Sequence, residues 1–124
     1  MSLLTIDLVT DDHINNEFVL CLVETGPWAE PIENRLKKLQ DRLYDSFDAI
    51  VDGHVASKFP QSKGRKIRLQ VDSHDAAPVS VLEFVRKFTD HLKNDAESQQ
   101  AIRSSPFVES LRVVNGADIG RHFD

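Results

Sequence analysis

The longest regular pattern of apolar and polar residues follows Pro31. Apolar side chains recur there at three- and four-residue steps, with charged residues largely between them: Leu36, Leu39, Leu43, Phe47 and Ile50, with Tyr44 and Val51 widening the stripe. This spacing predicts one long amphipathic helix over residues 31–52. Pro31 suits a first helical turn, and Gly53 suits a left-handed carboxyl-terminal cap.

Shorter apolar segments predict four strands. Residues 5–9 are rich in β-formers and precede a turn-like cluster at residues 10–13. Residues 17–24 are apolar on both faces, which is typical of a central strand, and the short connection favours an antiparallel hairpin. Residues 65–72 alternate apolar and polar side chains, which predicts a half-buried strand. Residues 110–114 form a fourth, short strand.

A second amphipathic helix is expected after Pro78. Val81, Leu82, Val85, Phe88 and Leu92 form its apolar stripe, with Phe84 widening it. Ser80 and Glu83 match a capping box at its start. The polar segment that follows favours at most a frayed helical turn over residues 96–103, and residues 116–124 are expected to form a surface tail.

The elements therefore run β-β-α-β-α-β. We expect an α+β two-layer sandwich, with a four-stranded sheet and both helices, the first of them long, on one face. The sequence leaves the strand order open, because each helix could be a crossover between parallel strands. The length of 124 residues, without a linker or an internal repeat, predicts one domain over residues 1–124.

Charge is distributed unevenly along the chain. The formal net charge is −5 and would be −10 without five cations of one short segment, Lys58, Lys63, Arg65, Lys66 and Arg68. That basic segment either binds an anionic partner or is a solvated connection whose charges pair with the acidic body. Nucleic-acid binding is not expected, because the polar face of the third strand carries no aromatic side chain for base stacking.

No motif for catalysis or for a cofactor is present. Cys21 is the only cysteine and lies in an apolar run, so a buried core thiol is expected. The five histidines fall in separate segments without metal-ligand spacing, and no glycine-rich phosphate loop or metal site is predicted. His13 and His74 each neighbour carboxylates, which leaves a small hydrolase or ligand-processing enzyme as an alternative. No apolar run is long enough for a membrane span or an export signal, so a cytoplasmic protein is expected.

Trp28 is the only tryptophan and lies where the second strand leads into the first helix. It either locks the entry to the helix as a hydrophobic staple or belongs to a recognition surface. The wide stripe of the first helix also suggests self-association, if the sheet does not cover it. We therefore expect a non-catalytic protein that acts by association, either as a homodimer or with a protein partner. An immunity or regulatory protein for a toxin or an enzyme is a further alternative.

The middle of the chain contains a spaced set of residues: Trp28, Leu39-Gln40, Tyr44, Phe47, Gly53, Phe59-Pro60 and Lys63-Gly64. This set resembles the pattern of a bacterial family of short proteins that is catalogued as a domain of unknown function. The resemblance covers about residues 19–71 and implies a compact α/β domain, without an assigned activity or catalytic residue. Two features differ: the family usually has Asp-His-Leu where this chain has Thr25-Gly26-Pro27, and its members tend to end sooner.

Overall fold

The computed structural model describes residues 6–25, 27–28 and 31–119. The strands are β1 (Leu8–Asp12), β2 (Glu17–Glu24), β3 (Arg65–Ser73) and β4 (Val108–Asn115). The helices are α1 (Ile32–Asp52), α2 (His54–Lys58), α3 (Val79–Asn94), α4 (Ala96–Ser104) and α5 (Gly116–Ile119), with a 3-10 turn at Pro60–Ser62. The predicted order of strands and long helices is confirmed, and three short helices are added to it.

The four strands form one mixed sheet in the order β1-β2-β3-β4. β1 and β2 form the expected antiparallel hairpin, whereas β2, β3 and β4 run parallel, which settles the open question of strand order. The register places Leu20 beside Leu69, and Leu69 beside Val113, on one face of the sheet. These side chains form a single core with Leu43 of α1 and Val85 of α3. α1 and α3 therefore cover one face of the sheet, and we call the opposite face the open face.

Local chemistry explains most of the helix boundaries. α1 ends at Gly53, whose φ of 92° is the left-handed conformation expected there. α4 is a complete helix rather than a frayed turn, because the Asp95 side chain caps it by accepting a hydrogen bond from the Ser98 amide. The capping box predicted at Ser80 is wrong. α3 starts two residues earlier than that box implies, with Pro78 at its cap position.

Two further boundaries differ from the prediction. The first strand spans Leu8–Asp12 rather than residues 5–9, of which residue 5 lies outside the described part of the chain. The predicted tail begins with α5. A Cβ on Gly116, the first residue of this helix, would overlap the carboxylate of Asp72 on the open face. A side chain at position 116 would therefore have to displace the Asp72 carboxylate, which favours glycine where the chain turns onto that face. Residues 120–124 of the predicted tail lie outside the described residues.

None of the helices in the described ranges is long and apolar enough to cross a membrane.

Candidate functional site

The open face of the sheet carries most of the buried charge of the protein. Successive strand residues point to opposite faces, so every side chain that alternates with the core residues lies here. The central strands contribute Glu17, Val19, Cys21, Lys66, Arg68, Gln70 and Asp72, and the edge strands contribute Leu8, Thr10, Asp12, Ser110 and Arg112. Of the charged residues in this set, Glu17 and Arg68 are each only 7% exposed.

Four of these residues form what we call the ion cluster: Asp12, Glu17, Arg68 and Arg112. Nη1 of Arg68 donates to Oδ2 of Asp12 at 2.7 Å and to Oε1 of Glu17 at 2.9 Å. Arg112 donates to the same Glu17 carboxylate through Nε at 2.6 Å and through Nη2 at 2.8 Å. Glu17 thus bridges two arginines that are neighbours across β3 and β4. The cluster therefore links β2, β3 and β4 to Asp12, which lies at the hairpin turn.

The same contacts keep the acids of the ion cluster ionised. Hydrogen bonds from Arg112 lower the pKa of Glu17 most, and the hydrogen bond from Arg68 lowers it further. Together they outweigh burial, which raises this pKa. Hydrogen bonds from Asn15 and Arg68 hold the pKa of Asp12 well below its usual value. Both carboxylates are therefore charged at neutral pH.

The turn between β1 and β2 is fixed by one side chain. Oδ1 of Asp12 accepts hydrogen bonds from the amides of Ile14 at 3.0 Å and Asn15 at 3.1 Å, and Oδ2 accepts from Nδ2 of Asn15 at 2.8 Å. This is an Asx-type turn, and Asn16 completes it in the left-handed region with φ of 55°. The turn holds Ile14 at its tip with 95% of its surface exposed.

A cavity of about 570 Å³ lies between this turn and α5. We call it the hairpin groove, and it is lined by Thr10, Asp11, Asp12, His13, Ile14, Asn15, Arg68 and Ile119. Ile14 and Ile119 contribute apolar walls, and the buried Arg68 reaches it from the sheet. An apolar cavity with a few fixed polar groups has the general character of a binding site.

The structure divides the predicted basic segment into two groups. Arg65 and Arg68 are ion-paired within the chain, Arg65 by two hydrogen bonds of 3.0 and 2.9 Å to Asp11. Lys58, Lys63 and Lys66 are exposed, and only Lys66 lies on the open face. The five cations therefore do not form one solvated loop. Of the predicted binding residues, Arg68 and Lys66 lie at the ion cluster, and Arg68 lines the hairpin groove.

Trp28 lies against the core at the entry to α1, away from the groove lining. The guanidinium of Arg35 stacks over its ring at 4.3 Å, and Arg35 also donates to the carbonyl of Pro27 at 2.8 Å. The indole Nε1 of Trp28 is buried and has no hydrogen-bond partner among the described residues. These contacts fit the predicted role as a staple that fixes the start of the helix.

The residues considered for catalysis are not arranged for it. Burial, reinforced by the carboxylate of Asp72, raises the pKa of the Cys21 thiol to about 11, so it is not a thiolate at neutral pH. His13 lines the hairpin groove, but its side chain is 89% exposed and its Nδ1 lies 3.9 Å from Asp11, beyond hydrogen-bond distance. His74 is exposed, and only its backbone amide is hydrogen-bonded. In the described ranges, no group of three or more potential ligands could hold a metal ion.

Two other cavities differ from the groove in their lining. One of about 330 Å³ lies at the carboxyl ends of β3 and β4, beside Asp72 and Asn115. Both of these side chains already make hydrogen bonds: Gln70 donates to Asp72, and Asn115 donates to the carbonyl of Leu82. The other, of about 350 Å³, lies between the two long helices. We call it the helix seam, and it is lined by Gln40, Tyr44, Phe84, Lys87, Phe88 and His91.

Sequence reasoning missed the acidic half of the ion cluster and the exposed isoleucine. Asp12 was assigned to a turn, and Glu17 and Arg112 were not singled out. The strand alternation does place Glu17, Arg68 and Arg112 on one face once the register is known. That alternation was the available signal, and the missing information was which strands are neighbours.

Comparison with protein-family models, with curated proteins and with solved structures finds no match to this chain.

Proposed function

We propose that this protein is a non-catalytic association module that binds a partner protein through the hairpin groove. The observation that carries the proposal is Ile14, a large apolar side chain held almost fully exposed beside an apolar cavity. A regulatory or immunity protein for a toxin or an enzyme would be one form of such a module. Membership of the resembled bacterial family and a cytoplasmic location belong to the same proposal.

A single exposed apolar residue is ordinary in a soluble protein. Ile14 differs because three hydrogen bonds from its own turn to Asp12 fix the backbone that carries it, so the turn does not need to be ordered on binding. Ile119 provides a second apolar wall across the groove, and Leu8 is exposed on the same face of the sheet. A rigid apolar anchor with a polar surround is the usual composition of a binding hot spot.

Site-specific photo-crosslinking tests the proposal. A benzophenone amino acid is placed at position 14 in the full chain, in cells that express it, and at Val79 as a control. Val79 is also an exposed apolar residue, but it lies at the start of α3, outside the groove. We expect a discrete crosslinked product from position 14 alone, and its loss when Ile119→Ser is added. Equal products from both positions, or a product that survives Ile119→Ser, would contradict the proposal.

Self-association through the helix seam is the second candidate. The predicted surplus of apolar surface on α1 is mostly covered, since Leu39 and Leu43 are buried, but Tyr44 remains 37% exposed. Its ring meets Phe88 edge-to-face, with centroids 5.0 Å apart, and Phe84 lies beside them. Light scattering after size exclusion, at micromolar concentration, tests this candidate. A dimer that Tyr44→Ser dissociates and Val79→Ser does not would support it, and a monomer throughout would exclude it.

A further inference from the structure

We propose that the hairpin groove and the adjoining ion cluster recognise a segment in which a carboxylate lies next to a bulky aliphatic side chain, on the surface of the partner protein. This inference rests on the proposed function and adds the chemistry of the partner. It follows from which hydrogen-bonding groups of the site are already used and which remain.

The carboxylates around the groove are already paired with cations of the chain. Both oxygens of Asp12 accept two hydrogen bonds each, from the turn and from Arg68. Glu17 accepts three, from Arg68 and Arg112. Asp11 is occupied on both oxygens by Arg65. A lysine or an arginine from a partner would therefore compete with a cation that the chain already supplies.

The charged groups at this site that make no hydrogen bond are donors. Within the described part of the chain, Nη2 of Arg68 and Nη1 of Arg112 make no hydrogen bond, and neither does the ammonium group of Lys66. Lys66 and Arg112 are exposed, and the register places Lys66 beside Glu17 and Arg112 beside Arg68. Three cationic donors on adjacent strands thus surround one point of the open face, which favours an anionic group.

Arg68 is held rigidly for this role. Its Nε donates to Oε1 of Gln70 at 3.1 Å, and its Nη1 is fixed by Asp12 and Glu17. Gln70 is in turn held by Asp72, at 3.1 and 3.2 Å to its two oxygens. The guanidinium therefore does not need to be ordered when a ligand arrives, which removes part of the entropic cost of binding.

The apolar walls specify the rest of the ligand. Arg68 lines the same cavity as Ile14 and Ile119, so an anionic group at Arg68 places its neighbouring atoms in a cavity that two aliphatic side chains line. The volume of about 570 Å³ accommodates a side chain of the size of leucine together with the carboxylate. A polyanion such as nucleic acid fits less well, because the lining has no phenylalanine, tyrosine or tryptophan for stacking and the whole chain carries −5.

Titration with small probes separates these contributions. The isotope-labelled full chain is titrated with hexanoate, acetate and 1-hexanol, and the signals of the Arg68 Nε–H group and of the Ile14 and Ile119 methyl groups are followed by NMR. We expect hexanoate to shift all three signals saturably, with a dissociation constant on the order of 1–10 mM for so small a ligand. Acetate lacks the tail and hexanol lacks the charge, and each should bind at least about fivefold more weakly. A thymidine oligonucleotide serves as the polyanion probe.

Variants then test the two halves of the site without removing Arg68, whose loss could unfold the protein. Lys66→Gln should weaken hexanoate about two- to threefold, whereas the matched change Lys63→Gln, an exposed lysine outside the site, should leave it unchanged. Ile119→Ser should weaken hexanoate and leave acetate unaffected. Equal binding of hexanoate and hexanol, shifts elsewhere on the protein, or preference for the oligonucleotide would overturn the inference.

The two proposals fail separately. If position 14 crosslinks in a manner that depends on Ile119 but hexanoate has no advantage over hexanol, the association stands and the carboxylate chemistry is wrong. If hexanoate binds as expected and no Ile119-dependent crosslink forms, the groove is an anion site and the association with a protein is wrong.

Discussion

Glu17 is the residue on which the open face depends most. It is almost fully buried, and among the described residues it is the only acceptor shared by Arg68 and Arg112. Replacing it by glutamine removes the negative charge and leaves the buried Arg68 with Asp12 as its one carboxylate partner. We expect Glu17→Gln to lower the free energy of unfolding by about 3 kcal/mol, the usual cost of breaking a buried ion pair from one side. Urea denaturation followed by circular dichroism measures this loss.

Glu109 provides the matched control for that prediction. It is an exposed carboxylate on β4 that makes no ion pair within the described part of the chain, so Glu109→Gln should change stability by no more than about 0.5 kcal/mol. Equal effects of the two substitutions would mean that the ion cluster contributes nothing to folding.

Cys21 gives a second prediction for a single residue. Its thiol is buried on β2 with a pKa raised to about 11, so the reactive thiolate is scarce at neutral pH. The native protein at about pH 8 should react with iodoacetamide at least about a hundredfold more slowly than the urea-unfolded chain, since an unperturbed thiol has a pKa near 8.5. Mass spectrometry of timed samples measures both rates. A native rate close to that of the unfolded chain would show that the thiol is accessible and not perturbed in this way.

The elements that the sequence predicts well are those whose pattern is local. α1 and β2 follow from spacing and apolar content, and both have nearly the predicted bounds. The predicted first strand ends too early, because Asp11 and Asp12 resemble turn residues. In the fold they extend the strand, and they pair with Arg65 and Arg68, more than 50 positions away. A distant partner overrides the local preference in this case. No local window of sequence contains that information.

The boundary between α1 and α2 offers a test at the same scale. Gly53 has φ of 92°, and a Cβ there would lie 2.7–2.9 Å from ring atoms of Phe107, whereas Gly64 has φ of 74° with open space around it. Gly64→Ala should therefore cost only the backbone strain, about 1 kcal/mol, and Gly53→Ala about 2–3 kcal/mol, because overpacking is added. Denaturation midpoints of the two variants measure the difference. The prediction fails if Gly64→Ala is as damaging as Gly53→Ala.

At the scale of the whole molecule, the sandwich was predictable and the candidate site was not. Composition and element order lead to one sheet with helices on one face, because few other arrangements bury those stripes. The hairpin groove depends on three additional facts: that β3 lies beside β2, that β4 lies beside β3, and that α5 turns onto the open face. Each of these is a relation between distant segments. The predicted binding residues Lys66 and Arg68 lie near the candidate site, but their acidic partners and Ile14 emerge only from the assembled sheet.

Acid stability integrates the charge pairs of the molecule into one measurement. The acids whose pKa is lowered by ion pairs or hydrogen bonds lie in every layer: Asp7, Asp11, Asp12, Glu17, Asp95 and Asp118. The opposite shift occurs at Asp48, whose pKa is raised by burial and by Asp52 and Asp45. A carboxylate with a lower pKa in the folded state stabilises the fold fully above its unfolded pKa of about 4, and this contribution disappears as the pH falls through the folded pKa.

We therefore expect the free energy of unfolding to be nearly constant from about pH 7 to pH 5.5 and to fall steadily between about pH 5 and pH 2. Urea denaturation at steps of pH measures the curve. Glu17→Gln should make it shallower in the acid range, because one of the contributing groups no longer titrates, whereas Glu109→Gln should leave its shape unchanged. A rise in stability on acidification would imply that carboxylates whose pKa is raised in the fold, as that of Asp48 is, dominate the pH dependence. The ion cluster would then not be the organising feature of the open face.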